Sequence, residues 1–249
     1  MNTLALAKAA RTRSEWWIPA GLIALSLVPA LAGSARVAEL ASGAPITEAN
    51  ARFVAMPTPV VLHLLAAIPF SMIGAFQFMP GFRQRHPQWH RAAGKALVVL
   101  GLLVAMSGLW MTQFYPWPPG DGVALYVERL VFGTGLVGCI GLALDAIRRR
   151  DYAAHGEWMS RGFAIALGAG TQVLTHLPYF LLVGRPGEVG RGVMMGAGWV
   201  INLAVAEWII QRGAALRHAA RASPLNASRI VRAKPIYPAE HRTPPARTP

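Results

Sequence analysis

The sequence predicts an all-α polytopic membrane protein, a bundle of six transmembrane helices with both termini cytoplasmic. Three observations carry that prediction. Hydrophobic residues make up 54% of the chain and charged residues 14%, with a mean hydropathy of +0.38 and eight Trp, a balance foreign to a soluble domain of 249 residues. The apolar residues fall in blocks separated by short polar segments. The basic residues crowd into alternate segments, as cytoplasmic loops retain Lys and Arg while translocated loops are depleted of them.

The blocks run over 16–32, 59–79, 96–114, 123–147, 162–182 and 193–210. Each is long enough to cross about 30 Å of hydrocarbon at ~1.5 Å per residue. Lys8, Arg11 and Arg13 precede the first block, in a segment 1–15 expected to be cytoplasmic. The run Ile18–Val28 followed by Ala30-Leu31-Ala32 also fits a cleavable signal peptide. Trp16-Trp17, read as an interfacial belt, and the charge map favour an uncleaved helix.

The segment 33–58 is the longest expected on the external side. There Thr47-Glu48, Phe53, Met56 and Pro57 suggest a short helix capped by Thr47 and lying on the surface. Arg83, Arg85, Arg91 and Lys95 separate the second and third blocks, and Pro87 is placed to open the third helix. Tyr115-Pro116-Trp117-Pro118-Pro119-Gly120-Asp121-Gly122 reads as a tight external turn that stops that helix. Arg148, Arg149, Arg150 and Arg161 lie between the fourth and fifth blocks, with Asp151 as a cap for the fifth. Eight more basic residues follow the sixth, so 19 of the 24 fall on one side and Arg36, Arg52, Arg129, Arg185 and Arg191 elsewhere. The segment 213–249, rich in Pro and Arg, is expected to be a disordered cytoplasmic tail. The same asymmetry explains the net charge of +13 by topology and anionic headgroups, which makes nucleic acid an unsuitable partner.

Small residues recur along three helices: Gly94, Gly101 and Gly108 every seven, Gly162, Ala166 and Gly170 every four, with Gly192 and Gly196 beginning the sixth. In lipid such strips let backbones pack closely, so these helices should face the interior. Cys139, the one cysteine, is expected to be a small packing residue.

Chemistry concentrates in the histidines. His63 and His176 fall at similar depths below the external face, about 6 and 9 Å at ~1.5 Å per residue. His90 with Gly94, and His155 with Trp158 and Met159, each share a helix face near the cytoplasmic side. Two stacked histidine pairs suit two b-type haems, because neutral imidazole ligates iron and a bundle core is dry. Arg91 and Arg161 would then meet the propionates. A single haem on the inner pair, or on His and Met159, is the simpler version. Isolated interfacial histidines also commonly bond a backbone carbonyl and no metal.

The order His63, Gln77-Phe78-Met79-Pro80, His86-Pro87, His90-Arg91-x-x-Gly94, His155-x-x-Trp158-Met159-x-Arg161 resembles the bacterial membrane proteins catalogued as domain of unknown function 2306, over roughly Thr58 to Arg212. The resemblance implies a multi-pass protein of the bacterial inner membrane. It places His63, His90, Arg91, Gly94, His155, Trp158, Met159 and Arg161 at signature positions, and His176 on none. The family brings no assigned activity. In architecture alone the chain is similar to cytochrome b561-like proteins.

Three function classes follow. The first is a haem-b transmembrane electron carrier, with a redox partner at the cytoplasmic face. The second is a small-molecule or proton-linked transporter lined by His63, Glu128, Arg129, Gln172 and Asn202, against which no span reads as broken at its centre. The third is an assembly factor that docks a partner through its cytoplasmic motifs. Catalysis is not indicated beyond a possible oxidoreductase component: there is no Gly-x-Ser-x-Gly elbow, P-loop, His-Glu-x-x-His or Cys-x-x-Cys.

Overall fold

The computed structural model describes residues 16–222, so the expectations for 1–15 and for most of the 213–249 tail lie outside the described residues. Among the described residues nine helices form: α1 (Trp17–Ala41), α2 (Ala51–Ala55), α3 (Pro57–Gln77), α4 (Pro80–Arg85), α5 (Pro87–Phe114), α6 (Val123–Arg148), α7 (Tyr152–Ala166), α8 (Gly168–Leu182) and α9 (Glu188–Ala222). No strand is present among the described residues. Helices α1, α3, α5, α6 and α9 are each long and apolar enough to cross a membrane, and α7 with α8 pass the same test as a pair bent by 42°, which makes five candidate crossings, or six if the pair is one span.

That bend corrects the expectation of unbroken spans. The ladder stops at Leu167, whose N–H reaches the Phe163 carbonyl, and restarts at Gly168. A side chain on Gly168 would run into the indole of Trp199, so the break lets α9 approach the backbone there. The carbonyl of Ala164 at the break is taken by the Asn202 amide at 3.1 Å, and Asn202 accepts from Thr171 at 2.6 Å. Freed backbone groups in an apolar layer need such partners.

Local signals explain the boundaries. Pro57, Pro80 and Pro87 open their helices, where a missing N–H costs nothing. Asp151 accepts from the Ala154 N–H at 3.0 Å and caps α7 as expected, after a left-handed turn at Arg150. The short α2 forms, but its expected Thr47 cap gives way to Asn50. That buried amide binds the Thr47 N–H, the Pro45 carbonyl and Glu39.

Packing is sequential and then closes: α1 on α3, α3 on α5, α5 on α6, α6 on α7, with α8 returning to α1. Pro29 lacks the N–H that would bond the Leu25 carbonyl, and Gly170 of α8 comes up against that oxygen. The core joins Ala66, Val104, Ala105, Leu136, Cys139, Ile140 and Ile165, with Phe70, Leu97, Phe163 and Leu167 in a neighbouring cluster. Small-residue strips serve it unevenly. A Cβ at Gly101 would meet Phe70 and Ile140 at 2.9 Å, and one at Gly162 would meet Cys139 at 3.3 Å, whereas one at Gly94 would meet nothing within 4 Å. Contacts divide the chain into a unit ending at Glu207 and a second from Trp208 on. Helix α9 runs past residue 213 to Ala222, within the segment expected as tail.

Candidate functional site

The connections 42–56, 115–122 and 183–187 lie at one end of the bundle, and the site is built there. Tyr115 ends α5 and donates to the Met56 carbonyl at 2.5 Å, tying the turn before α6 to the start of α3. Asp121, with its side chain 2% exposed, accepts from Arg129 of α6 and Arg191 of α9, both at 2.6 Å. One carboxylate therefore holds three segments together and is shared by two guanidinium groups.

Arg52, on α2, lies close enough for Asp121, Arg129, Arg191 and Arg36 to act on its charge. Burial pulls its guanidinium down from its ordinary value; Asp121 opposes that fall and the other arginines add to it. Among the described residues no carboxylate pairs with Arg52, whose guanidinium lies 4.6 Å over the Phe53 ring. Arg36 lies 4.9 Å over the same ring and is paired with Glu39.

Below this cluster a cavity of about 350 Å³ reaches into the bundle, lined by Arg52, Arg129, His63, Gln172, Phe132 and Trp199 among others. The last two rings stack with centroids 4.6 Å apart. His63, on α3, has Nδ1 at 3.1 Å from both the Val104 carbonyl and Ser107 Oγ on α5. A carbonyl only accepts, so Nδ1 carries the proton and Nε2 keeps its lone pair. Gly108 leaves room for the ring: a Cβ there would stand 3.5 Å from the imidazole. Gln172, buried on α8, donates to the Met195 carbonyl at 3.1 Å.

The expected outer histidine pair is not brought together. His176 bonds the Gln172 carbonyl of its own helix at 2.7 Å and lines a different cavity with Arg185 and Arg191. The two cavities share Ala169, Gln172 and Met195. Of the expected transporter lining, His63, Arg129 and Gln172 meet in the first cavity, while Glu128 turns to Gly196 and Asn202 serves the helix break.

At the opposite end His90 of α5 and His155 of α7 are within electrostatic reach of each other. His155 Nδ1 is 3.1 Å from the Ala143 carbonyl, and His90 Nδ1 is buried without a hydrogen-bond partner. Arg91 is exposed, and Met159 is half-buried one turn beyond His155. Trp158 packs on the core and carries the Arg161 guanidinium at 4.7 Å. Arg161 itself forks onto both carboxylate oxygens of Glu207 on α9. No cluster of three or more metal-ligating side chains occurs among the described residues.

Asp121 and Arg52 were missed as site residues, the first because a Pro-rich turn accounts for itself. The available signal was the set of arginines on the side otherwise depleted of them: Arg36, Arg52, Arg129 and Arg191 gather round one another there.

Compared with known proteins, the chain matches a family model described as a predicted membrane protein, domain of unknown function 2306, over residues 60–210. No curated protein and no solved structure matches it, and the expected similarity to cytochrome b561-like proteins is not shown. The chain belongs to the domain of unknown function 2306 family of membrane proteins.

Proposed function

We propose that this family member is a membrane permease for small organic anions, with the cavity beside His63 as its binding site. The observation that carries the proposal is Arg52, a half-buried cation without a carboxylate partner among the described residues, at the wall of an otherwise largely apolar cavity. Asp121 is already divided between Arg129 and Arg191, so the region keeps excess positive charge. A ligand carboxylate would meet Arg52 and Arg129, its apolar body would lie against Phe132 and Trp199, and a ligand O–H would donate to His63 Nε2. The break at Leu167 adjoins the cavity wall at Ala166 and Ala169, and a broken span beside a binding site is the element that changes access in many carriers.

Purified protein in proteoliposomes is expected to accumulate radiolabelled benzoate above protein-free vesicles. Arg52→Ala should weaken apparent affinity roughly ten- to a hundredfold, since a hydrogen bond to a charged group contributes about 1.5–3 kcal/mol. Uptake unchanged in Arg52→Ala, or no uptake across a panel of aromatic and aliphatic carboxylates, would overturn the proposal.

A b-type haem at the other end is a second reading, supported by the buried, unpartnered Nδ1 of His90 beside the open space at Gly94. The bond from His155 Nδ1 to Ala143 leaves Nε2 free for iron. His90 and His155 would hold the group, which would supply one-electron chemistry. Arg91 remains available to a propionate, while Arg161 is committed to Glu207. Protein from haem-replete cells should then show a reducible Soret and α-band spectrum lost in His90→Ala and in His155→Ala; colourless protein rules this reading out.

A further inference from the structure

We propose that Glu128 is a membrane-embedded proton-binding carboxyl, held as the neutral acid until α6 and α9 separate. The residue lies on the second turn of α6, about 8 Å along the helix from Val123 at ~1.5 Å per residue. Its Oε2 is buried and has no hydrogen-bond partner. The other oxygen lies over Gly196 of α9, where a Cβ would approach Oε1 to 2.6 Å, so the glycine makes room for the carboxyl. Glu39, Asp121, Asp145 and Glu207 are each ion-paired and Asp151 caps a helix, while Glu188 lies over Gly122, just before α6.

The nearest positive charge is already engaged by another carboxylate. Arg129, the next residue and the charged group that acts on Glu128, is bonded to Asp121. On α9, Arg191 is bonded to Asp121, Glu188 lies against Gly122 and adds only like charge, and Gly192 and Gly196 carry no side chain. From α5, Gln113 is engaged by Tyr126 at 2.7 Å. The titratable residues of α7, Tyr152, His155, Glu157 and Arg161, precede Gly162 and so lie away from the end where α6 begins. A carboxylate oxygen buried without a hydrogen bond is costlier charged than protonated, so Glu128 keeps its proton while this packing lasts. Water reaching the carboxyl when the two helices part would release it. This site is separate from the cavity and does not depend on what the cavity binds.

The test is labelling by dicyclohexylcarbodiimide of the full chain in native membranes, mapped by peptide mass spectrometry. The protonated acid reacts: its proton passes to one carbodiimide nitrogen and its oxygen bonds the central carbon, giving an O-acylisourea that rearranges to a stable N-acylurea. Glu128 is expected to carry the adduct at neutral pH, with the rate falling about tenfold per pH unit once the acid titrates. A water-soluble carbodiimide should leave it unmodified. Glu128→Gln should lose the adduct while keeping the wild-type melting temperature; if that variant does not fold, the wild-type map alone decides. Glu128 unlabelled at every pH while other acids are modified, or labelled equally at acid and alkaline pH, would overturn the proposal.

Discussion

Asp121→Ala is expected to destabilise the protein by about 3–5 kcal/mol, the usual cost of removing one partner from a buried ion pair. The side chain is 2% exposed, and its removal strands Arg129 and Arg191 together in a site where Arg52 already adds positive charge. Two effects therefore add: lost attraction and new repulsion among guanidinium groups. Asp121→Asn keeps an acceptor for one arginine and should fall between wild type and Asp121→Ala. Removing the exposed Arg149–Asp145 pair, with side chains 64% and 52% exposed, should change stability by less than about 1 kcal/mol. Melting of the detergent-purified variants, followed by tryptophan fluorescence, measures all three. Equal melting temperatures for Asp121→Ala and Arg149→Ala would mean that the carboxylate is not the tie between the 115–122 turn, α6 and α9.

Breaking the Arg161–Glu207 pair is expected to cost about 2–3 kcal/mol from either side, near the lower bound for buried pairs because both side chains are partly exposed, 21% and 39%. Arg161 forks onto both carboxylate oxygens and lies against Trp158, so its loss removes a bidentate contact and a cation–π contact together. Glu207→Ala leaves the arginine charged and unpaired on a crossing helix. The double replacement Arg161→Met with Glu207→Leu leaves no charge behind and should be more stable than either single variant. A double-mutant cycle in denaturant settles this; additive single effects would show that α7 and α9 are not coupled through this pair.

Several features were legible because they depend on composition, spacing or local chemistry. Five of the six apolar blocks coincide with helices long and apolar enough to cross and the other with the bent α7–α8 pair, Pro87 and Asp151 announced the starts of α5 and α7, and Gly101, Gly162 and Cys139 lie in tight contacts or the core. The break at Leu167 was not legible. Phe163 to Ala169 is apolar without proline, and the break depends on Trp199 and Asn202, more than thirty residues away in sequence. Asn50 displaced Thr47 for a similar reason, since Glu39 and Pro45 converge on its amide from outside the helix it precedes.

By itself, the sequence determined that this is an all-helical membrane protein, because the free energy of burying apolar residues in lipid acts block by block and needs no partner. It also singled out the histidines, since imidazoles near apolar segments are scarce enough to count. Tertiary structure decided which of them meet. Helix depth can be read along one chain, but helix rotation and neighbour choice are set by packing between chains of side chains far apart in sequence. That packing put His63 in a cavity with Arg52, Arg129 and Gln172, sent His176 to another, and left Glu128 facing a glycine.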